Sequence, residues 1–168
     1  MFRNASDINE RARKIKLLLL DCDGVLTDGR LYFSESGESL KVFYVRDGYG
    51  LTLWHRAGFR SAIISGRKST LVKKRADDLG IEFVILGRED KAKAFEELLQ
   101  LSGVPPDEIA FVADDTIDLP IFPLVGFTVA VGDAHKEVKA TADYVTGARG
   151  GRGAVREVVD MLLAAKID

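Results

Sequence analysis

The run Asp21-Cys22-Asp23-Gly24-Val25-Leu26-Thr27-Asp28-Gly29 follows directly on the apolar stretch Leu17-Leu18-Leu19-Leu20, so a segment with the composition of a buried strand ends in two carboxylates. Alternate residues of an extended chain point the same way, which lets Asp21 and Asp23 converge while Cys22 faces the other side. Gly24 then permits a sharp turn. Neighbouring carboxylates resist joint burial, so the pair implies a cation, a shared proton or separated roles, with a solvated Asp-rich turn as the alternative. An EF-hand loop does not fit, because Val25 and Leu26 stand where an oxygen ligand and a glycine are needed.

Other apolar runs also end in polar groups. Residues 60–65 lead into Ser65-Gly66-Arg67, where a hydroxyl, free backbone amides and a cation meet at the start of a helix. That combination binds anions, or Ser65 simply caps the helix. Residues 109–113 run into Asp114-Asp115-Thr116-Ile117-Asp118. Lys91 opens a helix, where the dipole disfavours a cation. It either answers a nearby negative cluster or is a surface lysine among Arg88, Glu89, Asp90 and Lys93.

Gathered at one sheet edge, these groups describe phosphoryl transfer. Oxygen-only carboxylate ligands favour magnesium, bound through a few carboxylates, waters and phosphate oxygens. Asp21 can attack phosphorus to give an aspartyl-phosphate, and Asp23 can protonate the leaving alcohol and then deprotonate water. Magnesium and Lys91 offset the charge between anionic nucleophile and anionic substrate, while Ser65 holds a phosphoryl oxygen.

The elements that must position these groups alternate along the chain. Apolar runs at 15–21, 60–65, 82–86, 109–113, 127–131 and 144–146 read as strands. Amphipathic runs at 49–57, 68–79, 91–102, 119–125, 136–140 and 154–165 read as helices. The fold class is α/β, a Rossmann-like, mostly parallel sheet with helices on both faces. Gly58, Gly80 and Gly103 sit where left-handed helix ends are expected. Between the first strand and its helix, Leu31-Tyr32-Phe33 and residues 40–45 flank a polar turn at 34–39, a β-hairpin inserted at about 30–45 beside the aspartates. His55 falls in a helix beside Trp54, and His135 opens the helix at 136 rather than binding metal.

At 168 residues the chain fits one domain, expected to span 1–168. A net charge of −2 argues against a nucleic-acid partner. The basic cluster Arg11, Arg13, Lys14 and Lys16 stands with Asp7 and Glu10 on a solvated lead-in helix. There is neither a membrane-spanning run nor an apolar leader before Ile15, so a cytoplasmic location is expected. The single cysteine, Cys22, excludes an internal disulfide and reads as a small buried hydrophobe.

In order, Asp21-x-Asp23, Ser65, Lys91 and Asp114-Asp115-x-x-Asp118 resemble the four motifs of the haloacid dehalogenase superfamily of phosphatases. The stretches at 21–29, 45–50, 64–67 and 150–158 resemble a small branch of that superfamily that lacks a cap domain and acts on a sugar-acid phosphate. The resemblance implies 3-deoxy-D-manno-octulosonate 8-phosphate as substrate, with a nonulosonate 9-phosphate as the alternative. It also implies a magnesium site of Asp21, the backbone carbonyl of Asp23 and Asp114, and a homotetramer in which a neighbouring subunit covers the site beside the hairpin. Arg46, Arg67 and Arg152 can pair with the sugar-acid carboxylate or phosphate, or serve in interface salt bridges. Ala113 replaces the glycine usual before the Asp pair, and Ser65 a frequent threonine. Two other classes would use a similar cluster. A phospho-accepting receiver domain does not need Asp23, and a non-catalytic tetrameric regulatory module would not need all four motifs.

Overall fold

The computed structural model describes residues 5–167. Helix α1 (Ala5–Lys14) leads into β1 (Leu17–Leu20), the hairpin strands β2 (Tyr32–Ser34) and β3 (Gly37–Leu40), and α2 (Val45–Arg56). There follow β4 (Arg60–Ser65), α3 (Thr70–Leu79), β5 (Phe83–Leu86), α4 (Lys91–Ser102), β6 (Ile109–Ala113), β7 (Phe127–Ala130), α5 (Lys136–Thr141), β8 (Tyr144–Val145) and α6 (Ala154–Ala164).

Six strands form one sheet in the order β5-β4-β1-β6-β7-β8, all pairs parallel. β1 lies inside it, and its four leucines are fully buried, as a strand covered on both faces requires. From β1 the chain moves outward through β4 and β5, then returns across the sheet and continues through β6, β7 and β8. Right-handed crossovers therefore put α2 and α3 on one face and α4 and α5 on the other. The packing agrees: α2 lies against α6 and α3, whereas α4 and α5 meet the segment after β6. The chain reverses direction at β1, which makes its carboxyl end the switch point where ligands bind in such sheets.

Local chemistry sets the ends of these elements. Ser69 accepts a hydrogen bond from the Val72 amide to cap α3, and Asp90 accepts one from Lys93 to cap α4. Gly80 and Gly103 close those helices at φ +70° and +64°, and Gly58 follows α2 at +88°. Two expectations need correction. Residues 119–125 do not form an α-helix; Thr116–Leu124 is a 3-10 segment, because Pro120 and Pro123 remove amides and clash with an α-helical path. The hairpin is also shorter than expected: Gly37 at φ +110° already returns the chain, β3 ends at Leu40, and Val45 begins α2.

The basic cluster near the amino end is spent internally. Arg11 bonds Asp143 and the Gly126 carbonyl, Arg13 the Ala165 carbonyl, Lys14 Glu10, and Lys16 Glu108. Among the described residues no helix is long and apolar enough to cross a membrane.

Candidate active site

Asp21 leaves β1 with its amide still bonded to the Val112 carbonyl of β6, so the sheet itself fixes its backbone. Its side chain is buried, and its Oδ1 accepts a hydrogen bond of 2.6 Å from Lys91. Lys91, the first residue of α4, also bonds the Ile64 carbonyl at 3.3 Å and pairs with the fully buried Asp118 at 2.9 Å. Its unfavourable place at a helix start is thus explained by two carboxylates. Burial opposes the lysine's charge, but Asp21 and Asp118 outweigh it and push its pKa up.

Asp21, Asp114 and Asp118 each bring a carboxylate oxygen within 4.8 Å of the others. Burial, then the Asp118 charge, push the Asp21 pKa up to about 6 despite Lys91. Burial and the charges of Asp21 and Asp118 push Asp114 up to about 8. Among the described residues one ammonium therefore pairs with two of three clustered carboxylates, a deficit of positive charge that a divalent cation would correct. The loop after β1 lies close against this cluster: Gly24, at φ +92°, has no Cβ, and a Cβ there would lie 1.9 Å from Asp114 Oδ2. The His135 amide donates to the Asp114 carbonyl at 2.7 Å, and Asp118 Oδ2 accepts from the Asp114 amide at 3.4 Å. His135 itself caps α5, and His55 bonds Ser61.

Asp23 has different partners from Asp21. The chain turns at Cys22, whose carbonyl accepts from the amides of Val25, Leu26 and Thr27, so strand alternation stops short of Asp23. Asp23 Oδ1 meets Lys41 at 2.5 Å and Oδ2 lies 3.7 Å from Arg67. Lys41 also reaches Glu38 at 2.9 Å, and Glu38 accepts a 2.6 Å hydrogen bond from Ser69. Burial opposes the Lys41 charge, but its bonds to Asp23 and Glu38 prevail and push its pKa up. Cys22 is buried and its thiol pKa is pushed up, first by desolvation, as befits an inert core residue.

The other sequence candidates separate. Ser65 is buried at the end of β4, its Oγ accepting from the Arg67 amide at 3.3 Å. Arg67 stands half-exposed between Asp23 and Glu38. Arg152 leans on Asp28 at 3.6 Å, while Arg46 is exposed on the first turn of α2 and pairs with no described residue. The glycine-rich segment before α6 is pressed onto the loop after β1: the Gly151 amide bonds the Val25 carbonyl, and a Cβ on Gly150 would sit 1.6 Å from the Gly24 carbonyl. Asp47 explains the stretch at 45–50. Buried in α2, it accepts from the amides of Gly153 and Arg156 and so caps α6 from another helix.

Lys41 and Glu38 were not singled out in the sequence, where they look like ordinary charges on a hairpin. In the sequence Glu38 falls in the polar turn at 34–39 and Lys41 two residues past it, so the signal was no more than two opposite charges three residues apart.

Comparison with known proteins identifies the family. A model of the haloacid dehalogenase-like hydrolase family matches residues 81–158. The 3-deoxy-D-manno-octulosonate 8-phosphate phosphatase of Escherichia coli (strain K12) is 48% identical over 162 residues, covering 96% of this chain and 86% of the relative. The crystal structure of the Yersinia pestis phosphatase of that name superposes with a TM-score of 0.94 at 45% identity, covering 98% of this chain and 89% of the other. The Moraxella catarrhalis phosphatase, solved with a magnesium ion, a phosphate ion and a KDO molecule, superposes with a TM-score of 0.93 at 38% identity, covering 98% and 94%. The chain belongs to the 3-deoxy-D-manno-octulosonate 8-phosphate phosphatase family of haloacid dehalogenase-like hydrolases.

Proposed function

We propose that this chain is a magnesium-dependent phosphatase that hydrolyses 3-deoxy-D-manno-octulosonate 8-phosphate through an aspartyl-phosphate on Asp21. The observation that carries the reading is the cluster of the buried Asp21 and Asp118 with the half-buried Asp114, in which, among the described residues, Lys91 pairs with the first two. Asp21 and Asp114, with the backbone carbonyl of Asp23, would hold magnesium, which when bound neutralises charge between the phosphoryl group and the attacking carboxylate. Asp118 is committed elsewhere, one oxygen to Lys91 and the other to the Asp114 amide.

Asp21 attacks phosphorus as the ester bond to the sugar breaks, and Asp23 gives its proton to the departing alkoxide. Asp23, now a carboxylate, takes a proton from the water that attacks the aspartyl-phosphate, and phosphate leaves. Lys91 keeps Asp21 ionised and oriented, and Ser65 with the amides behind it holds a phosphoryl oxygen. Arg67, the most nearly central of the three arginines, turns from Asp23 and Glu38 to the substrate's anionic groups, with Arg46 and Arg152 as further partners.

The protein acts in the cytoplasm as a homotetramer. Phe33, Leu40, Val42, Val45 and Tyr49 are at least half exposed on the hairpin and the start of α2, an apolar surface that supports burial against another subunit. Magnesium-dependent phosphate release from octulosonate 8-phosphate, at higher kcat/KM than from a nonulosonate 9-phosphate, is the expected result. Preference for the nine-carbon ester would overturn the substrate assignment, and release unaffected by chelator would overturn the metal.

A further inference from the structure

Lys41 has no part in the chemistry above, yet its position is costly. Its side chain is 2% exposed, and burying an ammonium is unfavourable unless its partners are well placed. A hairpin needing only an anchor could use an apolar residue there. Instead the ammonium joins Asp23 Oδ1 at 2.5 Å to Glu38 Oε1 at 2.9 Å, and Ser69 at the start of α3 holds the far oxygen of Glu38 at 2.6 Å. Asp23, lying in a turn, is thereby tied through the hairpin to the body of the protein. Its other oxygen faces Arg67 at 3.7 Å, beyond hydrogen-bond length, on a side chain that is 41% exposed.

Resting on the phosphatase reading, we propose that Lys41 is a positioning residue: by holding Oδ1 of Asp23 it leaves Oδ2 as the oxygen that exchanges the proton, and it makes that orientation depend on the seated hairpin. The proton on Oδ2 passes to the ester oxygen as the bond from phosphorus to the sugar breaks and the bond to Asp21 forms. It is recovered from water in the second half-reaction. Assembly that seats the hairpin and acid–base competence are then one event.

The test uses the ratio of kcat for the sugar phosphate to kcat for an activated aryl phosphate, whose leaving group needs no acid. Loss of folded protein lowers both rates and cancels in the ratio. Asp23→Asn sets the scale. Lys41→Met is expected to lower the ratio about 10- to 100-fold, as misplacing an acid does. The double variant should be no lower than Asp23→Asn alone, since Lys41 acts through Asp23. Glu38→Gln, which leaves Lys41 in place with one anchor loosened, should lower the ratio about threefold or more and carries the test if the methionine variant yields no folded protein. An unchanged ratio in either variant, or losses that multiply in the double variant, would overturn the proposal. If Asp23→Asn itself keeps the wild-type ratio, the acid–base reading fails first, visibly and without reference to Lys41.

Discussion

Removing a carboxylate from the acidic trio should stabilise the metal-free protein. Asp114 is pushed up to about 8 from an ordinary carboxylate value of 3.8, with desolvation first and then the charges of Asp21 and Asp118 as causes. The folded state thus holds a proton that the unfolded chain releases near 3.8. A carboxyl raised in this way contributes stability at low pH that is lost as pH rises towards 8. Between those values each pH unit costs about 1.4 kcal/mol, so at about pH 7 the penalty is a little over 4 kcal/mol, and partial exposure and coupling to Asp21 reduce it to roughly 2 to 4. Asp114→Asn keeps the shape and removes the proton linkage. In urea titrations with chelator, the variant should be roughly 2 to 4 kcal/mol more stable than wild type at about pH 7 and within about 1 kcal/mol of it at about pH 4. Millimolar magnesium should reverse the order, stabilising wild type but not the variant. A variant no more stable than wild type without metal, or one stabilised equally by magnesium, would refute the view that mutual carboxylate repulsion prepares the cation site.

Other perturbations test the neighbouring parts. Lys91→Met leaves Asp21 and Asp118 buried without their shared partner and should cost about 3 to 5 kcal/mol in the same titrations; a loss below about 1 would contradict the buried pairing. Gly24→Ala drives a methyl to 1.9 Å from Asp114 Oδ2 at a backbone φ of +92°, so calorimetry should find magnesium affinity lowered about tenfold or more, and unaltered affinity would show that the loop gives way. Asp47→Ala removes the carboxylate that caps α6 and should lower stability by about 1 to 2 kcal/mol, with no measurable loss as the contrary result.

The parts of the site readable in the sequence are those in which a strand delivers a side chain to the sheet edge. Asp21, Ser65 and Asp114 each follow an apolar run, and parallel order brings such ends together whatever the details of packing. Lys91 could be suspected because a lysine at a helix start violates the dipole preference, although its two carboxylate partners lie 70 and 27 residues away. The Lys41 to Asp23 pair had no such signal. It depends on where a hairpin folds back, and periodicity does not encode that. The same holds for Asp47, whose capping of α6 spans more than a hundred residues, and for Gly150 and Gly151, which are glycines because another loop lies against them. The helix expected at 119–125 failed for a local reason that was legible, two prolines whose lost amides outweighed an apolar pattern.

The central claim is that Asp21 forms the covalent intermediate. Its most direct test is rapid-quench peptide mass analysis of a single turnover on octulosonate 8-phosphate, with Asp21→Asn run beside wild type. A phosphoryl group on the peptide containing Asp21, and turnover lowered at least about 10³-fold in the variant, is the expected result. Undiminished phosphate release by Asp21→Asn, or a phosphoryl group trapped on another residue, would contradict it.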